Sequence, residues 1–367
     1  MSGHGPLLTI DLGALARNWR RLREEASGAE CAAAVKADAY GIGIGEAARP
    51  LWDTGCRTFF VAHLSEGIRL RGLLPSATIY VLNGLAPESE ATLAGNDLRP
   101  VLGSREDVSA WAAFCREAGQ LRPAALHVDT GINRLGIPTP EVAAVVASPD
   151  LAEFRPTLLM SHFASSEIAD DPTNAEQIAC FAAARSAFPD LPASLANSSG
   201  IFLPEGPNYA MVRPGYALYG GNPRPGLRNP MEPVVRLEAS VIQVRDVDRG
   251  ARVGYGGRWT APGPRRLATL SIGYADGVPR AASGRAGHEG GAALVAGHLC
   301  PFVGTVSMDL IVIDATGVPD GAVGRGSPAV IIGDALDLDT VAARAGTVGY
   351  EILTNLSRRA ERRYVNG

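Results

Sequence analysis

Short apolar runs recur along the first two thirds of the chain, near residues 31–35, 58–63, 77–82, 98–102, 124–129, 156–162, 193–197 and 209–213. Amphipathic or alanine-rich stretches separate most of them, at 44–53, 64–72, 87–95, 104–118, 140–147 and 174–187. A short apolar run bounded by turn residues reads as a buried strand, whereas apolar positions three and four apart read as helix. Eight strand-like runs with intervening helices, spread over about 230 residues, predict a (β/α)8 barrel. A doubly wound sheet is the rival, but no GxGxxG opens a helix after the first strand. Ahead of the barrel, Asp11 is placed to cap a helix whose apolar positions are Leu12, Leu15, Ala16, Trp19 and Leu22.

The pattern changes around 221–231, where glycine, asparagine and proline cluster into a connector. Beyond it lie strand-like pieces at 233–245, 266–273, 292–296, 301–306, 309–313 and 328–333, and helical signal returns only at 338–345 and 350–362. The expected organisation is a barrel over 1–230 and a mostly β domain over 231–367.

Composition narrows the function classes. A net charge of −4 argues against nucleic-acid binding, and no apolar run approaches membrane-spanning length. The N-terminus has neither the basic nor the apolar region of a secretory signal. Five cysteines without paired spacing suggest neither a disulfide framework nor a metal site. The expectation is a cytoplasmic protein without metal.

Lys36 is the only lysine in the chain, and it follows the first apolar run directly. Desolvation at a strand end lowers an amine's pKa, and a neutral amine can form a Schiff base; the plainer reading is a surface lysine in an arginine-rich composition. In such a barrel the active site lies where strands end at the C-terminal face. There the chain carries Asp38 and Tyr40 after the first strand, His127 and Arg134 at and after the fifth, and His162 at the sixth. Asn197-Ser198-Ser199-Gly200 follows the seventh, and Arg213-Pro214-Gly215-Tyr216 the eighth. Small hydroxyls and glycines after strands seven and eight suit a phosphate. A Schiff-base lysine facing a phosphate pocket points to pyridoxal 5′-phosphate. Arg134 and Arg213 then address its phenolate and pyridine nitrogen, or else form structural ion pairs.

At this point the chain resembles the alanine racemases, fold-type III pyridoxal-phosphate enzymes. The motifs are AVKADAYG at 34–41, VDTGINRLG at 128–136, SHFASSE at 161–167, NSSG at 197–200 and RPGYALYG at 213–220. They continue with VGYGGRW at 253–259, IGYADGVPR at 272–280, GTVSMDL at 304–310 and YEILTNLSRR at 350–359. The resemblance implies a homodimer that interconverts L- and D-alanine with two bases and supplies D-alanine for peptidoglycan. Lys36 would hold the cofactor and serve one face of the substrate; Tyr255, from the partner subunit, would serve the other. Tyr40, Ser198, Gly215, Tyr216 and Tyr350 would surround the phosphate. His162 would lie against the ring, Arg213 at its nitrogen and Arg134 at its phenolic oxygen. Arg134 and the partner-donated Met308 would hold the substrate carboxylate, with Tyr274 at the mouth of the small side-chain pocket.

Two departures stand out. Many family members carry a carbamate-modified lysine where this chain has His127, which leaves His127, Asn133 or a bound anion to steady Arg134. The family's YGHG is YGIG here, with Ile42. The competing readings are a broad-specificity or serine racemase, a fold-type III amino-acid decarboxylase, and a non-enzymatic pyridoxal-phosphate carrier. The decarboxylase reading is weakened by Cys300, whose setting does not match that class, and the carrier reading by the presence of residues 232–367.

Overall fold

The computed structural model describes residues 5–204, 206–285, 287 and 289–367; the N-terminal tetrapeptide read above lies outside them. Eight short parallel strands form around one axis, at the places the apolar runs predict. The first is split into Glu30–Cys31 and Ala33–Ala34; then come Thr58–Val61, Thr78–Val81, Arg99–Leu102, Pro123–Asp129, Arg155–Met160, Ala193–Ser194 and Met211–Val212. The split has a topological use. Ala33–Ala34 pairs with the second strand and Glu30–Cys31 with the eighth, so the first strand joins both ends of the sheet. Ala210 N and Arg213 N donate to Ala193 O and Ala196 O, at 3.0 and 2.9 Å, which links the seventh strand to the eighth and closes the barrel. Closure removes the unpaired edges that an open sheet would expose.

Helices Ile44–Thr54, Leu64–Leu73, Glu90–Gly95, Arg105–Glu117, Val142–Val146 and Pro172–Ser186 follow the first six strands. The last two strands are followed only by short 3₁₀ turns, Gly200–Phe202 and Tyr216–Tyr219, which leave their loops open toward the barrel mouth. Helix Leu12–Glu25 covers the outside. Asp11 caps it by accepting from Ala14 N at 2.8 Å, and Leu12, Leu15, Trp19 and Leu22 are buried as their spacing predicts.

The second sheet is built on Val235–Val247, a 13-residue strand whose register shifts twice, so that different stretches pair with different neighbours. It pairs with Pro328–Ile332, with Arg265–Leu270 and with Leu7–Asp11. Three readings are corrected here. Leu7–Asp11, ahead of the barrel in sequence, belongs to this sheet. The helix expected over 350–362 stops at Thr354, and Glu361–Val365 is a strand paired in parallel with Leu7–Asp11. From that strand Arg362 donates to Leu356 O and Gly41 O, which holds the preceding residues in a turn that a continuing helix could not make. The strand expected over 301–306 forms earlier, as His298–Pro301, because it pairs tightly back on Ala292–Val295.

Candidate active site

Lys36 opens the turn Lys36–Tyr40 at the end of the first barrel strand. The four residues after it all lie in the left-handed region, with φ of 53° for Ala37, 54° for Asp38, 55° for Ala39 and 53° for Tyr40. None is glycine, and such a conformation costs roughly 1–2 kcal/mol per residue. Strain of this kind persists only where surrounding contacts impose it, and it concentrates at functional sites. The turn directs the lysine to a cavity of about 990 Å³ at the barrel mouth. Partial burial lowers the pKa of its amine, Arg134 lowers it further, and Glu66 opposes them.

The same cavity is lined by Tyr40, Arg134, His162, Ser198, Arg213, Gly215, Tyr216 and Tyr350. Each reaches it for a local reason. Ser198 Oγ accepts from Gly215 N at 3.0 Å and Ala217 N at 3.1 Å, which fastens the seventh-strand loop to the eighth. Gly215 admits no side chain, because a Cβ there would collide with the Tyr40 hydroxyl. Tyr40 stacks on Tyr219, whose hydroxyl donates to Ala34 O at 2.9 Å. Tyr216 stacks on Tyr350 with centroids 4.2 Å apart, and its hydroxyl donates to Asp339. That contact draws helices Leu338–Ala345 and Gly349–Thr354 of the second domain over the barrel mouth.

Arg213 is buried, and its guanidinium donates to Ser194 Oγ and Ser161 O. No carboxylate lies within ion-pair range of it or of Arg134 among the described residues, which removes the structural ion-pair reading for both. Burial pushes the Arg213 pKa down to about 9. His162 is held well below the usual imidazole range by burial and by Arg213, and His127 is pushed down to about 4 for the same two reasons. The mouth therefore carries positive charge, neutral imidazoles and aimed N–H groups. Such a set suits a polyanionic, aromatic ligand. His127 Nε2 is buried without a hydrogen-bond partner. These groups fit pyridoxal 5′-phosphate.

Tyr255, Tyr274 and Met308 do not reach this cavity. They are 76%, 41% and 52% exposed on the second domain. Their backbones are tied together there: Thr305 Oγ1 donates to Tyr255 O, Tyr274 N to Ser307 O, and Ala275 N to Met308 O. The carbamate substitute is also only partly assembled. Asn133 is occupied by Asp129 and Gly131, and no hydrogen bond joins it or His127 to Arg134. Ile42 is fully buried, and its carbonyl accepts from the Tyr364 hydroxyl, so it packs the core and does not face the cavity.

Several groups at the site escaped the sequence reading. Glu66 accepts from Ala37 N, Ala62 N and His63 N. An acidic residue in the first turn of helix Leu64–Leu73 was its available signal. Gln177 donates to His162 O at 2.9 Å and accepts from Ala164 N at 2.8 Å, which clamps the sixth-strand loop. Neither Gln177 nor Asp339 had a local signature.

Residues 10–223 match the family model described as alanine racemase, N-terminal domain, and 234–364 that described as alanine racemase, C-terminal domain. The alanine racemase of Methylobacterium nodulans is 60% identical over 366 residues, covering 100% of this chain and 98% of that protein. That of Rhodospirillum rubrum is 47% identical, covering 98% and 95%. Among solved structures, alanine racemase from Bartonella henselae with covalently bound pyridoxal phosphate superposes with a TM-score of 0.94 at 37% identity, covering 99% of this chain and all of that one. With both family models matched in order and full-length relatives at this identity, the chain belongs to the alanine racemase family.

Proposed function

We propose that this chain is an alanine racemase that interconverts L- and D-alanine with pyridoxal 5′-phosphate. The observation that carries the reading is the convergence, in one cavity, of the only lysine in the chain and a buried arginine without an acidic partner. The relatives' names and the covalent cofactor of the Bartonella henselae structure support it. Bound there, pyridoxal 5′-phosphate supplies the electron sink that acidifies the substrate's α-proton.

The chain's own groups divide the remaining work. The lowered pKa of Lys36 favours the neutral, nucleophilic form of its amine, which is also the form that serves as the base on one face. Arg213 would donate at the ring nitrogen and could not accept its proton, because a guanidinium stays charged. That weakens the sink and limits side reactions. His162 would lie against the ring, and Arg134 would face the phenolic oxygen. Ser198, Gly215, Tyr40, Tyr216 and Tyr350 would hold the phosphate. Tyr255 is the base on the other face, with Met308 beside the substrate carboxylate and Tyr274 at the mouth of the pocket. The exposure of these last three supports a homodimer in which each second domain completes the partner's site. The two family matches, which fall on either side of 224–233, support a domain division near residue 230.

No helix among the described residues is long and apolar enough to cross a membrane, and all five cysteines are free. The free cysteines favour a reducing, cytoplasmic setting. The test is turnover of L-alanine to D-alanine, measured against a panel including serine and basic amino acids, with carbon dioxide release followed in parallel. Racemisation with alanine preferred is the expected result. Carbon dioxide release from a basic amino acid would instead mark a decarboxylase.

A further inference from the structure

The left-handed turn after Lys36 is anchored by two carboxylates, one at each end. At the far end Asp38 accepts from Ile44 N at 2.9 Å and pairs with Arg69 at 2.8 Å and Arg358 at 3.0 Å. At the near end, the backbone bond from Ala39 N to Val35 O at 2.9 Å is joined by one side chain. Glu66 Oε1 accepts from Ala37 N at 2.6 Å, while Oε2 accepts from Ala62 N at 2.8 Å and His63 N at 3.1 Å. Glu66 has no cationic partner within ion-pair range among the described residues, so its two oxygens serve these three backbone groups. Oε2 steadies the start of helix Leu64–Leu73, and Oε1 reaches across to another loop. Capping alone does not call for that second contact.

We propose that Glu66 is the positioning residue of Lys36: by accepting from Ala37 N it keeps the left-handed turn wound and aims the amine into the cavity. The proposal rests on the reading that Lys36 carries pyridoxal 5′-phosphate. An L-residue leaves φ near +53° readily unless it is held, and unwinding Ala37 swings the lysine that precedes it. Glycine occupies the same conformation without penalty. An alanine-to-glycine change at 37 therefore removes the need for the restraint, whereas it does nothing for a helix cap.

The experiment uses the full chain loaded with limiting pyridoxal 5′-phosphate, fixed with borohydride, and the Lys36 peptide quantified by mass spectrometry. Glu66→Gln cannot satisfy both sets of N–H groups, and we expect about tenfold weaker cofactor retention on Lys36, corresponding to about 1.4 kcal/mol. Adding Ala37→Gly recovers most of that loss, while Ala37→Gly alone stays within about twofold of wild type on the same scale. Circular dichroism verifies folding. Glu66→Asp, which keeps the charge and shortens the reach, replaces Glu66→Gln if the latter does not fold. Wild-type retention in the Glu66 variant overturns the proposal. So does a loss that Ala37→Gly fails to recover, because Glu66 is then only a cap. Wild-type protein that is never fixed at Lys36 defeats the reading of Lys36 itself, a separate result.

Discussion

The barrel mouth and the outer face of the second domain hold their candidate site residues in opposite settings. At the mouth, Arg213, His127 and His162 are desolvated, and burial is the largest influence on each. On the outer face, Tyr255, Tyr274 and Met308 stand in solvent. The mouth is a formed, desolvated pocket, whereas the outer face stands open to water. In the proposed homodimer, a second copy of the same chain would cover that face and give each site what the single chain keeps apart.

The comparison breaks first at Lys36. Lys36→Ala should abolish racemisation, because no other lysine can take over the Schiff base; borohydride fixation and activity assays check both. Tyr255→Phe should lower turnover by about 10²–10⁴-fold, the usual worth of a positioned proton-transfer group. It should still exchange the α-proton of one enantiomer with deuterated solvent, read by mass spectrometry. Full racemisation in Tyr255→Phe would end the two-base assignment.

Mixing the two variants tests the shared site directly. With random subunit exchange, about half the dimers pair one variant with the other, and one site in each of these is intact. Activity should recover toward roughly a quarter of wild type. If both residues came from one chain, mixing would restore nothing beyond the average of the two variants.

A smaller effect sharpens the picture of the mouth. His127 is neutral down to about pH 4 when folded but takes up a proton near 6.5 when unfolded. Between those values the unfolded chain binds more protons, so the cofactor-free protein should lose stability as pH falls from about 6.5 to 4, by about 3 kcal/mol from this group. His162 adds to the trend, its pKa being lowered in the same direction. Urea midpoints measured across this window should show the loss, and His127→Gln should flatten part of it. An unchanged slope in His127→Gln would remove His127 from the account. The smallest expected effect is none: with a single lysine, no carbamate can form, so depleting bicarbonate at fixed pH should leave activity unchanged.

Local pattern was enough for much of this molecule. The eight barrel strands, the helices after the first six of them and the cap at Asp11 all follow from apolar spacing and short-range hydrogen bonding. The candidate lysine stood out because it is alone and sits at a strand end. What pattern could not reach depends on residues far apart in the chain. Leu7–Asp11 and Glu361–Val365 pair from opposite ends of the chain, and a strand's partner leaves no mark on its own sequence. The left-handed turn at 37–40 has no glycine to announce it, and residues distant in sequence brace it: Glu66 accepts from Ala37 N, and Arg69 and Arg358 pair with Asp38. Arg213 reads as half of an ion pair until the fold buries it against Ser161 and Ser194 with no acid in reach. Short-range periodicity thus determined which segments became strands and helices. Only the folded chain decided which charges would lose their water, and desolvation is what makes the site reactive.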